Sequence, residues 1–98
     1  MRLIYNPEAE RELAEAAHFY RARSPGLGHD FMAQFESTVA EIQRFPGLWP
    51  VIERDVRSRT MRHFPFAVYY RVEEDELRIL VVKHHSRHPD YWRHRLDE

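Results

Sequence analysis

The chain has 98 residues, a formal net charge of −1, a hydrophobic fraction of 43% and no cysteine. This composition is typical of a folded globule and excludes a disulfide framework, a thiolate metal site, a secretory signal and a membrane span of roughly 20 apolar residues. We therefore expect a single soluble domain over residues 1–98, located in the cytoplasm, with no cofactor and no membrane association.

The first half of the sequence predicts a short strand followed by two helices. Arg2–Tyr5 is rich in strand-favouring residues, and Asn6 and Pro7 are typical of a helix start. One face of the first helix is apolar at helical spacing: Ala9, Leu13, Ala16 and Tyr20. Ser24–Gly28 interrupts this pattern, and a second helix follows with its own apolar stripe: Phe31, Phe35, Val39 and Ile42. Phe45–Pro50 contains two prolines and a glycine, which end that helix.

The second half predicts three strands. Val56–Phe64 alternates Arg57 and Arg59 with smaller residues, which is typical of a strand with one wet face at the edge of a sheet. Phe66–Val72 and Leu77–His84 are strongly strand-like, and the acidic turn between them predicts a hairpin.

The order of these elements predicts the fold class. A β-α-α-β-β-β order gives an α+β fold in which a helical hairpin packs on a small antiparallel sheet. The chain should end in a short helical turn that begins at Pro89.

Cations and imidazoles concentrate in the second half of the chain. Residues 54–98 hold ten of the 15 lysines and arginines and five of the seven histidines, and "VVKHHSRHPDYW" is the densest stretch. A basic surface of this kind favours an acidic partner. Metal binding is disfavoured, because His84 and His85 point to opposite faces of a strand and Lys83 and Arg87 repel a divalent cation. We predict no metal site.

The same stretch also has a structural interpretation. Tyr91 and Trp92 can cover one end of the core, Asp90 can pair with Arg87 or Arg62, and Pro89 can start the terminal turn. We predict a structural corner formed by Pro89, Asp90, Tyr91 and Trp92, joined to a cationic binding surface formed by Arg57, Arg59, Arg62, Lys83 and Arg87.

The sequence resembles the RelE/ParE family of toxins from bacterial type II toxin–antitoxin pairs. The resemblance spans nearly the whole chain and is most specific in "FPFAVYYRV" and in "H..RHPDYW" after the last strand. It implies one of two activities on one scaffold. RelE-like members are ribosome-dependent endonucleases that cut mRNA, whereas ParE-like members inhibit DNA gyrase. Members of both kinds are silenced by an antitoxin in a hetero-oligomeric complex.

A ribonuclease needs a base, an acid and cations that stabilise the charged phosphate. The residues that could supply these groups are Arg62, His84, His85, Arg87 and Tyr91. The resemblance to RelE-like nucleases, however, implies an arginine early in the third strand, where this chain has Ala67. We therefore predict a ParE-like toxin that binds and inhibits gyrase. The alternatives are a RelE-like endonuclease acting on mRNA at the ribosome, and an inactive toxin fold retained as an antitoxin-binding partner.

Overall fold

The computed structural model describes residues 1–98 and contains two helices, five strands and a terminal 3-10 helix. In chain order these are β1 (Arg2–Tyr5), α1 (Pro7–Arg23), α2 (Pro25–Arg44), β2 (Val51–Glu53), β3 (Val56–Thr60), β4 (Phe66–Glu73), β5 (Glu76–His84) and the 3-10 helix (Arg93–Asp97). The strands form one sheet in the order β1-β5-β4-β3-β2. The predicted α+β fold, a helical hairpin on a small sheet, is confirmed. Neither helix is long and apolar enough to cross a bilayer.

The sheet is mixed. β3, β4 and β5 pair antiparallel, as predicted, and β2, which was not predicted, pairs antiparallel with β3. β1 instead pairs with β5 in parallel, from Arg2 opposite Glu76 to Tyr5 opposite Ile79. A parallel pair needs a long connection, which the helical hairpin and the following strands provide here.

The strand predicted over Val56–Phe64 differs from the expectation in its length and in its place in the sheet. β3 ends at Thr60, and the chain then turns through residues 61–65, where His63 has a φ of 68°. β3 is also not an edge strand, because Val51–Glu53 pairs with it on its outer side. This short β2 directly follows the proline-rich end of α2 and was not predicted from the sequence.

The two helices are separated by a single residue. Asn6 caps α1, since its side chain accepts hydrogen bonds from the backbone N–H groups of Glu8 at 2.8 Å and Ala9 at 3.1 Å. Ser24 is both the C-cap residue of α1 and the N-cap residue of α2. The interruption between the helices is therefore shorter than the predicted Ser24–Gly28. Pro25 suits the first turn of α2 because its missing N–H would have no helical partner there.

Apolar residues are buried on both faces of the sheet. The larger cluster lies between the helices and the sheet and includes Phe31, Phe35, Ile42, Tyr70 and Ile79. The smaller cluster lies on the opposite face, where the C-terminal segment covers the strands: Val56, Leu80, Val81, Trp92 and Leu96. The register between β4 and β5 shifts at Tyr69/Tyr70, so Leu80 has no opposite partner on β4.

Candidate functional site

The histidine cluster consists of His84, His85 and His88, which follow or end β5. The first of them, His84, makes contacts within the molecule. The His84 ring packs edge-on against Phe66 at 5.0 Å between centroids. Its Nδ1 atom accepts the backbone N–H of Ser86 at 3.0 Å and lies 2.8 Å from the Ser86 hydroxyl. One imidazole nitrogen is therefore occupied by the corner that follows the strand.

The other two histidines of the cluster are exposed. His88 Nδ1 accepts the backbone N–H of Asp90 at 3.1 Å, which stabilises the next turn, and His85 lies on the surface. Nowhere in the chain do three histidine or carboxylate side chains converge in an arrangement that could hold a metal ion.

Lys83 is buried rather than exposed at a binding surface. Only 7% of the residue is accessible, and its ammonium donates to the carbonyls of His84 at 3.1 Å and Arg87 at 3.0 Å. The expectation that Lys83 contacts a partner is therefore corrected. Alternation along β5 directs this side chain towards the face that the C-terminal segment covers.

The C-terminal segment, residues 85–98, is held to the rest of the chain by a buried ion pair. The Arg95 guanidinium is 2% exposed and forms two parallel hydrogen bonds with Glu12 of α1, each 2.9 Å long. It also donates to the Leu80 carbonyl at 3.1 Å. Such a bidentate pair is the strongest geometry available to arginine and a carboxylate.

The same ion pair also covers an open edge of the sheet. β1 pairs with β5 only as far as Ile79, so β5 continues without a strand neighbour on that side. There Glu12 accepts the backbone N–H of Val82 at 3.0 Å, and Arg95 donates to the carbonyl of Leu80. The two side chains supply hydrogen bonds that a neighbouring strand would otherwise make.

Tyr91 belongs to this network. Its hydroxyl donates to Glu12 at 2.6 Å, and the Arg87 guanidinium lies 4.0 Å from the centre of its ring. Burial, and then the hydrogen bond to Glu12, raise the pKa of Tyr91 well above its ordinary value. The phenol therefore stays protonated near neutral pH and cannot act there as a base.

Trp92 and Asp90 differ in how they engage the rest of the molecule. Trp92 is 3% exposed, packs edge-on against Tyr69 at 5.1 Å and donates its indole N–H to the Pro89 carbonyl at 2.8 Å. The carboxylate of Asp90 forms no ion pair, because Arg87 stacks on Tyr91 and Arg62 lies near Glu41 instead. The expected pairing of Asp90 with either arginine is therefore wrong.

The arginines of β3 and the following turn lie at the C-terminal end of α2. Arg57 donates to the carbonyls of Gly47 at 3.3 Å and Trp49 at 2.7 Å. Arg59 reaches Glu41 at 3.5 Å and lies 5.0 Å above the Trp49 ring, and Arg62 is 3.9 Å from the same carboxylate. β3 and β5 are separated by β4, so the predicted cationic set forms two groups about 10 Å apart.

A shallow cleft of 270 Å³ runs between α1 and the open part of β5. Its lining combines acidic, aromatic and basic side chains: Glu12, Glu15, Phe19, Phe66, His84 and Arg87. Among the five candidate nuclease residues, the side chains of Arg87 and Tyr91 stack on each other, and the backbone N–H of Arg87 donates to the His84 carbonyl at 3.1 Å. Ala67 is 6% exposed, and its methyl group cannot bind a phosphate.

Three structurally important residues were missed from the sequence: Glu12, Arg71 and Arg95. Arg71 is buried and donates to the carbonyls of Leu96 at 3.0 Å and Glu98 at 2.9 Å. Glu12 lies beside the apolar stripe of α1, which was the one available signal. Residues with no local pattern, such as Arg95, are recognised only when distant segments are brought together.

Comparisons with known proteins agree with this geometry. The model of the family described as "ParE toxin of type II toxin-antitoxin system, parDE" matches residues 3–89. Among solved structures, a chain of a chromosomal ParDE toxin–antitoxin system from P. aeruginosa is similar, with a TM-score of 0.74 and 22% identity. The match covers 86% of this chain and 95% of that one, and it shows the fold. No curated protein sequence gives a significant match.

Proposed function

The chain belongs to the ParE toxin family of type II toxin–antitoxin systems, and on that basis we propose that it arrests growth by binding DNA gyrase. A cognate antitoxin would neutralise it. The family match over residues 3–89 carries this proposal, because gyrase inhibition is the activity that the ParE branch implies. The fold alone would not distinguish the two branches.

The state of the candidate nuclease residues supports inhibition by binding. RNA cleavage needs a base, an acid and a cation arranged around one phosphate. Here His84 Nδ1 accepts the Ser86 N–H, and the Tyr91 hydroxyl donates to Glu12. Ala67 stands where RelE-like nucleases carry an arginine. The candidates that remain exposed, Arg62, His85 and Arg87, are suited to contact.

We assign the surface arginines to partner binding. Arg57, Arg62 and Arg87 carry charge that no close carboxylate fully neutralises: Arg57 and Arg87 form no ion pair, and Arg62 reaches Glu41 only at 3.9 Å. Arg59 shares that carboxylate. An antitoxin segment or a target surface rich in acidic residues would complement these four arginines.

The mechanism is tested by two assays run in parallel on the purified protein. One measures DNA supercoiling by gyrase, and the other maps mRNA ends by primer extension in a translating ribosome mixture. We expect inhibited supercoiling and intact message. Codon-phased cuts in the message would establish the endonuclease instead, and no effect in either assay would indicate an inactive toxin fold.

A pair of arginine variants identifies the contact surface. Arg87→Ala should weaken gyrase inhibition roughly tenfold, as the loss of a charge-assisted contact does. Arg2→Ala is the matched control, because Arg2 is exposed and pairs with Glu76 at the other end of β5. Equal inhibition by both variants would remove Arg87 from the proposed surface.

A further inference from the structure

The last residues of the C-terminal segment are each bound to a different side chain elsewhere in the molecule. In chain order these polar contacts are Arg93 with Glu53 at 2.7 Å, His94 with Glu8 at 2.8 Å, Arg95 with Glu12 at 2.9 Å, the Leu96 carbonyl with Arg71 at 3.0 Å, and Asp97 with Arg54 at 3.0 Å. We call residues 91–98 the clasp, because these contacts reach α1, β2, β4 and the turn after β2. So many contacts to different elements specify one binding site for one particular segment.

The site beneath the clasp combines apolar and charged groups. Trp92 and Leu96 of the clasp belong to one buried cluster with strand residues that have no exposed surface: Val56, Leu80 and Val81. Lifting the clasp would expose these side chains to water and would also leave the Glu12 carboxylate without its buried cation. An uncovered site therefore favours rebinding of a segment with this same sequence.

The connection between β5 and the clasp, residues 85–90, is exposed throughout. One hydrogen bond ties it to a residue distant in sequence, from the His85 N–H to the Pro65 carbonyl at 2.9 Å. Pro89 disfavours a helical conformation of His88 and favours an extended one. Six extended residues span roughly 20 Å, so this connection can act as a hinge that carries the clasp away from its own site.

A second copy of the chain offers a released clasp the same site. Exchanging identical segments between two molecules keeps every contact of the clasp and changes only the conformation of the hinge. The exchange is opposed by the freedom that two molecules lose when they associate, so the exchanged form should be favoured as the protein concentration rises. Conditions that weaken the clasp without unfolding the sheet should make the exchange faster.

We infer that the clasp site also binds the clasp of a second copy of this chain, which produces a domain-swapped dimer. In each half of the dimer, Glu12 of one copy binds Arg95 of the other, and the two hinges cross between the molecules. This inference goes beyond the proposed function and does not depend on it, because the exchange requires neither gyrase nor an antitoxin.

A pair of charge reversals tests the exchange. Glu12→Arg and Arg95→Glu each place like charges in the site, so neither variant can close its clasp on itself or on an identical copy. In an equimolar mixture, the Arg95→Glu clasp meets the Glu12→Arg site, and the unchanged clasp of the one variant meets the unchanged site of the other. Native mass spectrometry identifies the heterodimer by its mass. We expect at least roughly tenfold more dimer in the mixture than in either variant alone.

Two controls isolate the clasp from other charged contacts. The double variant Glu12→Arg/Arg95→Glu restores the ion pair within one chain, so it should be as monomeric as the wild type. Arg2→Glu mixed with Glu76→Arg reverses an ion pair outside the clasp and should give no heterodimer. A Glu12→Arg and Arg95→Glu mixture with no more dimer than its components would overturn the proposal. Equal dimer in the mixture and in each component would place the association on another surface and would overturn it too.

The wild type provides a second measurement that does not depend on the folding of the variants. The protein is held at millimolar concentration in urea near its unfolding midpoint, returned to buffer by dialysis and examined by sedimentation. We expect a dimer that persists on dilution for longer than a surface contact would, because separation requires both clasps to open. A protein that returns wholly as monomer would overturn the domain swap. Gyrase inhibition is measured separately, so its absence would leave this inference unaffected.

Discussion

At the scale of single residues, a few buried charges join the N-terminal and C-terminal parts of the chain. Arg95 and Glu12 are 83 positions apart, yet the guanidinium and the carboxylate form two hydrogen bonds inside the molecule. Taking both charges out of water is unfavourable, and the attraction offsets this cost only while both partners are present. The pair therefore makes α1, β5 and the terminal segment dependent on one another.

Removing one partner of this pair should be strongly destabilising. Arg95→Met keeps much of the side-chain volume but leaves Glu12 buried without its cation, which typically costs about 3 to 5 kcal/mol. Urea unfolding measures the change. Arg93→Met is the matched control, because Arg93 pairs with Glu53 at an exposed site and its loss should cost at most about 1 kcal/mol. Equal destabilisation by the two variants would contradict the role of Arg95.

Tyr91 should make the protein sensitive to alkali. Its pKa is raised in the folded state, first by burial and then by the hydrogen bond to Glu12. Below the ordinary tyrosine pKa of about 10, both states are protonated and no stability is lost. Above it the unfolded state loses the proton first, so the unfolding free energy falls as the pH rises.

Tyr91→Phe tests this assignment. Phenylalanine has no proton to lose, so the unfolding free energy of the variant should fall less steeply than that of the wild type between about pH 10 and pH 12. Thermal melts at a series of pH values measure the slopes. Parallel slopes would show that Tyr91 ionises as easily in the folded chain as in the unfolded one.

At the scale of elements, the helical hairpin depends on one close contact. Only Ser24 separates the helices, which forces the start of α2 against the end of α1. A Cβ atom on Gly28 would lie 2.9 Å from the Cβ of Arg21 and 3.0 Å from its backbone. Glycine is therefore required at position 28 although it lowers helix propensity.

Two alanine variants should separate contact from propensity. Gly28→Ala must push the helices apart, and overpacking of this kind costs about 1 to 3 kcal/mol. At Gly26 the nearest neighbour of an added Cβ is 3.9 Å away, so Gly26→Ala should be neutral or stabilise by up to about 1 kcal/mol. Chemical unfolding compares the two. A Gly28→Ala variant as stable as the wild type would show that the helices can shift at no cost.

At the scale of the whole molecule, the sheet is covered on both faces by different parts of the chain. The helical hairpin covers one face, and the C-terminal segment covers the other with Trp92 and Leu96. Arg71 adds to this by binding the carbonyls of Leu96 and Glu98. The family match ends at residue 89, so most of this second cover lies beyond it.

Trp92→Ala should therefore destabilise the entire fold. The side chain is 3% exposed, and replacing a buried tryptophan by alanine typically costs about 3 to 5 kcal/mol, a large share of the stability of a small domain. Differential scanning calorimetry should show a melting temperature clearly below that of the wild type. A change within a degree or so would indicate that the terminal segment contributes little.

Elements whose apolar residues recur at a regular spacing could be predicted from the sequence. The stripes of α1 and α2 and the long runs of β4 and β5 could be located because helical and strand periodicity depends only on near neighbours. The family also followed from local patterns, chiefly "FPFAVYYRV" and the segment after β5.

The pairing of the elements with one another could not be predicted, because it depends on tertiary contacts. β2 is three residues long and has no periodicity, and the parallel place of β1 depends on β5 more than 70 residues later. The Glu12–Arg95 ion pair could not be predicted from the sequence for the same reason. Such contacts join residues far apart in the chain, so their energies depend on the folded geometry and leave no pattern in the local sequence.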